Sequence, residues 1–270
     1  MAGRRSKPDY REMNRSFSEY FLNTLSTSIA ASDLLASHLE DMGRESKSED
    51  AEKYLAILRH SQFQLLRVAE NLKELSDEGG TVRSREALDL CELCRRLTEG
   101  IQALVPDIQL EFRADPDTCI TLCDAERIER LVLNLVSNSL LHTPVGGRVL
   151  IRVLSTEETA QIVISDNGSG IPRERMDTLF SDYLRKEGLP EGPRGAGLGL
   201  SAAEAIAKAH GGTLVITSGE GRGTKAVCAL PRVLPDELRA YREPRCGRMR
   251  DLLIGLSDVL DSSKFQPPFL

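Results

Sequence analysis

Ile164-Ser-Asp166-Asn-Gly168-Ser-Gly170-Ile171-Pro172 is an apolar strand that runs straight into a carboxylate and then two glycines. Glycine lets the backbone approach a flat ligand closely and adopt positive φ at little cost. A carboxylate at that point accepts hydrogen bonds from an exocyclic amine such as that of adenine. Asp-Asn-Gly is also a favourable ordinary turn, so the surrounding chain has to decide.

Three further stretches in the second half are hard to explain by packing. Asn134-Leu-Val-Ser-Asn138 places two carboxamides four residues apart, on one face of a helix that opens at Asp124. Amide oxygens suit Mg²⁺ and amide nitrogens suit phosphate, although solvated or capping asparagines look the same. Gly192-Pro-Arg-Gly195-Ala-Gly197-Leu198-Gly199-Leu200 leads into a helix at Ser201. Such a loop exposes unpaired amides at the positive end of the helix dipole, which favours phosphate. It is neither a Walker A sequence nor a GxGxxG after a strand. Gly221-Arg-Gly223-Thr224, entering the last strand, is by itself a hairpin turn.

Working outward, the remaining chain divides into three parts. In the first, Phe21, Leu25, Ser28, Ser32, Leu35 and Leu39 step by threes and fours, as do Leu58, Ser61, Leu65, Val68, Leu72 and Leu75. This spacing predicts two helices with one stripe each, joined by the polar residues 43–50. A hairpin with one seam per helix leads to a homodimeric four-helix bundle as the default expectation; packing of the hairpin onto its own C-terminal domain is the alternative. The expected domains are a helical hairpin over 1–78, a nucleotide-binding domain over 84–232, and a tail over 233–270. In the second part, residues 88–104 read as helix. Strands follow at 108–112 and 118–122, then the helix from Asp124 to about His142, paired strands around 149–153 and 162–164, the Ser201 helix, and two closing strands. Adjacent strands interrupted by helices predict an α+β sandwich, with helices on one face of a mixed sheet. In the tail, Leu252, Leu253, Leu256, Val259 and Leu260 fit a helix over 249–260, either docked or partner-binding.

Composition sets outer bounds. The 270 residues are 40% hydrophobic, 28% charged and only 4% aromatic, which describes a globular chain with an aliphatic core. A net charge of −6 disfavours a nucleic-acid partner. No apolar run reaches the roughly 20 residues of a membrane span, the first ten residues do not read as a secretory signal, and the cytoplasm is the expected location. Cys91 and Cys94 form a CxxC, with Cys119 and Cys123 further on. Zinc is one reading; buried reduced thiols serving as small hydrophobes is the favoured one.

Taken in order, the four chemical stretches resemble the nucleotide-binding boxes of the histidine-kinase-type ATPase superfamily, the Bergerat fold. Asn134 to Pro144 resembles the N box, Asp166 to Gly170 the first glycine box, and Leu179-Phe180-Ser-Asp-Tyr183 the aromatic F box. Arg194 to Ser201 with Ala207 to Gly212 resembles the second glycine box of sensor histidine kinases, and Gly221 to Thr224 the third. The resemblance spans about 88–231 and implies ATP and Mg²⁺ as cofactors. It implies Asp166 on the adenine amine, Gly168 and Gly170 making room, and Thr224 supporting through water. It further implies Asn138 on Mg²⁺, Asn134 near the phosphates, His142 near the nucleotide, and Phe180, Gly195, Gly197, Leu198 and Gly199 in or beside a lid over the triphosphate.

The helical hairpin resembles the dimerisation and phosphoacceptor domain of the same kinases, but it departs from them, with Tyr20 where the general-base carboxylate follows the histidine. Ser18-Glu19-Tyr-Phe-Leu-Asn-Thr24-Leu25 stands where the family has Ser-His-Glu-Leu-Arg-Thr-Pro-Leu. Glu19 replaces the phosphoacceptor histidine, and Thr24 the kinking proline. His38 is the best substitute acceptor on local sequence, but helix rise puts it far from the expected end of the hairpin; no catalytic residue is assigned. The resemblance therefore implies an ATP-binding signal-transduction protein of the two-component kind, acting on a receiver domain or a second kinase. Two other uses of the site stay open: an active kinase phosphorylating His38 or a partner histidine, and a nucleotide-gated, anti-sigma-type regulator.

Overall fold

In the computed structural model, residue 21 and residues 24–35, 49–76, 85–176, 197–234 and 247–266 are described. Chain 24–35 is helical (α1), and Thr24 lies buried within it. Glu49–Ser76 forms the 28-residue helix α2. Then follow β1 (Glu86–Asp89), α3 (Leu90–Leu104), β2 (Gln109–Asp115), β3 (Ile120–Cys123), α4 (Ala125–His142), β4 (Arg148–Ser155) and β5 (Thr159–Asp166). The chain continues through α5 (Arg173–Met176), α6 (Gly199–Ala209), β6 (Thr213–Ser218), β7 (Thr224–Pro231) and α7 (Met249–Gly255), and a 3-10 turn at Ser262–Phe265 closes it.

The main sheet has the order β2-β4-β5-β7-β6. Its β2–β4 pair is parallel and the other three are antiparallel, so the sheet is mixed, as the paired strands predict. Period-2 alternation puts Val149, Ile151 and Val153 of β4, Ile162 and Ile164 of β5, and Ala226, Cys228 and Leu230 of β7 on one buried face. α3, α4 and α6 cover that face with Leu93, Leu97, Ile101, Ile128, Val132, Leu135, Ala203 and Ile206 in the same core. The α+β sandwich with helices on one face is what the alternating strands require.

Two boundaries differ from the sequence reading. The helix expected from residue 88 begins at Leu90, because Leu88 pairs with Thr121 in a separate two-stranded β1–β3 ribbon. Asp89 is the turning point: its carboxylate accepts from the Cys91 amide at 3.0 Å, capping α3, and from the Cys119 amide at 3.0 Å. The expected tail helix over 249–260 ends at Gly255 and continues as turns. It is docked, with Leu252, Leu253, Leu256, Leu260 and Phe265 in the main core.

Cys91, Cys94, Cys119, Cys123 and Cys228 are buried free thiols. Burial, then the nearby Asp89 carboxylate, pushes the Cys91 thiol up to about 12. Burial alone pushes Cys228 up to about 12. The Cys91 and Cys228 sulfurs stay protonated at neutral pH, and all five buried thiols pack as small apolar groups. Among the described residues no helix is long and apolar enough to cross a membrane.

His210 ties α6 to the start of α4. Its Nε2 accepts from the Asp124 amide at 3.1 Å, so its proton sits on Nδ1 and is donated to the Ile206 carbonyl at 2.8 Å. Burial holds its pKa below the usual histidine value, against the raising effect of that carbonyl. A folded pKa below the unfolded one means that the unfolded state binds the extra proton first. The stabilisation is complete above the ordinary histidine pKa and declines as pH falls through it toward the depressed one. Thermal unfolding between pH 7 and 5 is expected to show this loss, and His210→Gln to flatten it.

Candidate nucleotide site

Asp166 ends β5, opposite Val149 of β4. Its Oδ1 accepts from the Gly168 amide at 3.0 Å and the Thr224 amide at 3.1 Å. Both bonds fall on one oxygen, and among the described residues none reaches Oδ2. The carboxylate is thereby fixed in orientation with a second acceptor to offer. Gly168 is buried against the end of α4: a Cβ there would lie 2.3 Å from the His142 carbonyl oxygen. That same carbonyl accepts from the Ser169 amide at 3.2 Å. Gly170 has φ +69°, and a Cβ on it would meet the Gly219 carbonyl oxygen at 1.9 Å. Two glycine-containing loops thus touch backbone to backbone, which no side chain would allow.

The lacing continues through Ser218, a residue the sequence reading did not single out. Its Oγ donates to the Gly223 carbonyl at 2.8 Å, accepts from the Ile171 amide at 2.9 Å, and lies 2.9 Å from Thr224 Oγ1. Thr224 therefore reaches Asp166 through its amide and Ser218 through its hydroxyl. A serine closing a strand before a glycine-rich turn was the available signal.

Along α4, two helical turns separate His142 from Asn134, about 12 Å of axis. Asn134 lies at the N-terminus of α6: a Cβ on Gly199 would be 3.3 Å from its Oδ1. Asn138 stands midway and half-buried. α6 has Leu198 as its N-cap, with no side-chain cap, and Gly197 before it at φ +73°. The site therefore has an acidic end at Asp166, a carboxamide midway, and the N-terminus of α6 at the far end. Those donors suit, in order, an amine-bearing base, a hydrated Mg²⁺ with few protein ligands, and phosphate.

Asn134 is the member whose surroundings the sequence did not foreshadow. It is 2% exposed, and its amide nitrogen donates to Asn71 Oδ1 of α2 at 2.9 Å. The Arg67 guanidinium donates to its Oδ1 at 3.4 Å and to Ser137 Oγ at 3.0 Å. The His142 side chain is exposed. Glu19, His38, Phe180 and Gly195 lie outside the described residues.

The geometry brings these candidate residues together between a mixed sheet's strand-end loops and α4, the helix that runs along it. Residues 123–234 match the family described as "Histidine kinase-, DNA gyrase B-, and HSP90-like ATPase". The chain is 31% identical over 205 residues to the histidine protein kinase DivJ of Caulobacter vibrioides, covering 71% of this chain and 33% of that protein. Full-length ShkA in complex with AMPPNP has the same fold, at TM-score 0.59 and 18% identity, over 85% of this chain and 48% of that one. So has histidine kinase ThkA in complex with the response regulator TrrA, at TM-score 0.52 and 20% identity, over 83% and 64%. The chain spans about a third to a half of the length of the curated relatives quoted first among its matches. It carries a sensor histidine kinase ATPase core.

Proposed function

We propose that this chain binds Mg-ATP as the core of a two-component signalling protein, and that its hairpin lacks the usual phosphoacceptor histidine. The observation behind the binding half is the ordered row of donors along α4, from Asp166 through Asn138 to the α6 N-terminus. Asp166 Oδ2 holds the adenine amine, with Thr224 and Ser218 keeping that carboxylate in place. Asn138 offers its amide oxygen to Mg²⁺, and the α6 amides with Gly197 and Gly199 take the phosphates. The metal's part is to neutralise phosphate charge. The neighbour solved with AMPPNP is consistent with this use of the fold.

The transfer half rests on sequence. With Glu19 in the histidine's place the acceptor would be a carboxylate, and an acyl phosphate is not the phosphoramidate on which the family's relay depends. The chain then regulates a receiver domain or a second kinase through nucleotide-dependent movement of a dimeric hairpin; the neighbour solved with a response regulator supports a receiver domain as the partner class.

Incubation with γ-labelled Mg-ATP tests both halves. Saturable binding without acid-labile label is expected. Acid-labile label that disappears in His38→Gln overturns the transfer half and makes the chain an active kinase.

A further inference from the structure

α2 carries two stripes. The apolar one, Leu58 to Leu75, was visible in the spacing; one residue earlier at every step from Ser61 onward runs a polar one of His60, Gln64, Arg67, Asn71 and Glu74. Each member of the polar stripe is bonded to the ATPase core or to the C-terminal segment. Glu74 pairs with Arg127 at 2.6 Å and with Arg130, both on α4. Asn71 takes the Asn134 amide, and Arg67 reaches Asn134 and Ser137. On its other side Arg67 pairs with Asp258 at 3.1 Å. His60 Nε2 donates to the Ser257 carbonyl at 2.7 Å, with Gln64 at 3.4 Å from the same oxygen. The His60 ring stacks on Phe265 with centroids 4.5 Å apart.

The segment 247–266 is anchored to the core independently of α2. The Gly247 amide donates to Glu129 Oε1 at 2.8 Å, and a Cβ on Gly255 would strike Leu133 of α4 at 2.7 Å. It therefore stands as a fixed wall on one side of Arg67, with the N-box helix on the other. The seam it closes is mostly polar, with Phe63 against Phe265 as its apolar contact at the far end, and its polar part separates at small net cost because water replaces the bonds. It is also imperfect: among the described residues the buried Arg67 Nε has no partner. The contact is thus specific, buried and incompletely satisfied.

We propose that residues 247–266 are a clamp that fastens α2 onto the ATPase core and withholds Asn134 from nucleotide, so that α2 docking and nucleotide binding oppose each other. This rests on the nucleotide reading above. Linkage makes the opposition reciprocal: nucleotide loosens α2, and loosening α2 favours nucleotide.

The test titrates a fluorescent ATP analogue with Mg²⁺ into the full chain and into Asp258→Asn and Phe265→Ala, with hydrogen exchange followed over residues 60–74. Asp258→Asn keeps the shape and removes the charge; Phe265→Ala acts from the far end of the clamp. Far-UV circular dichroism melts verify that each variant is folded. Both variants are expected to exchange faster over 60–74 and to bind the analogue about three- to tenfold more tightly, as the competent fraction rises. Saturating analogue should speed the same exchange in the wild type. Faster exchange with unchanged affinity, or unchanged exchange in both variants, overturns the clamp. Failure of every protein to bind analogue overturns the nucleotide reading and the clamp with it, an outcome distinct from equal binding.

Discussion

Asp166→Asn should weaken Mg-ATP binding by roughly 30- to 100-fold while leaving the fold intact. The asparagine keeps an Oδ1 that can accept from the Gly168 and Thr224 amides, the two bonds that organise the loop. What it loses is the second acceptor: an NH2 group now faces the adenine amine, donor against donor. A hydrogen bond to a charged group contributes about 1.5–3 kcal/mol, which spans that loss of affinity. Isothermal titration gives the affinity, and thermal unfolding gives the control. A variant that binds as tightly as the wild type would remove Asp166 from the base-recognition site; a variant that binds weakly but also melts early would implicate the loop instead.

The second large effect is on stability. Gly170→Ala is expected to cost about 2–4 kcal/mol, from positive-φ strain and overpacking together. Its φ of +69° is one that alanine adopts with strain, and the new methyl carbon would lie 1.9 Å from a carbonyl oxygen of the opposing loop. Neither atom is the end of a flexible side chain, so the backbone itself must part, and the Gly221 amide bond to the Ser169 carbonyl at 2.7 Å would go with it. A fall in the melting temperature of roughly 5–15 °C follows for a domain of this size. Nucleotide binding should weaken too, since these loops set the Asp166 pocket. An unchanged melting temperature would mean that the two loops are not locked together.

Much of this was legible in the chain. Alternation in β4, β5 and β7, and the Asp124 cap of α4, were readable because burial on one face imposes a period, and a cap needs one polar residue next to an apolar run. The pocket residues were readable for a different reason. Asp166, Asn138 and the glycines are residue types that an apolar packing pattern does not call for, so they stood out from it, and the structure gives Asp166, Gly168 and Gly170 a loop-organising part besides. The Leu88 boundary was missed because Leu88 fits a helix stripe and a strand equally; Asp89, which serves as both cap and cross-link, decides it. The polar stripe of α2 was missed because apolar periodicity was the only period counted.

The sequence alone therefore singled out the candidate nucleotide site, since its residue types answer to ligand chemistry that is local to each box. It also determined the layer order of the sandwich. What the tertiary structure decided is the company those residues keep. The amide of Asn134 faces α2, Arg67 stands between Asn134 and Asp258, and the tail lies against the core. No spacing rule could show this, because each of these contacts joins residues more than 60 positions apart, and a polar side chain reads as solvated until the surface that buries it is known.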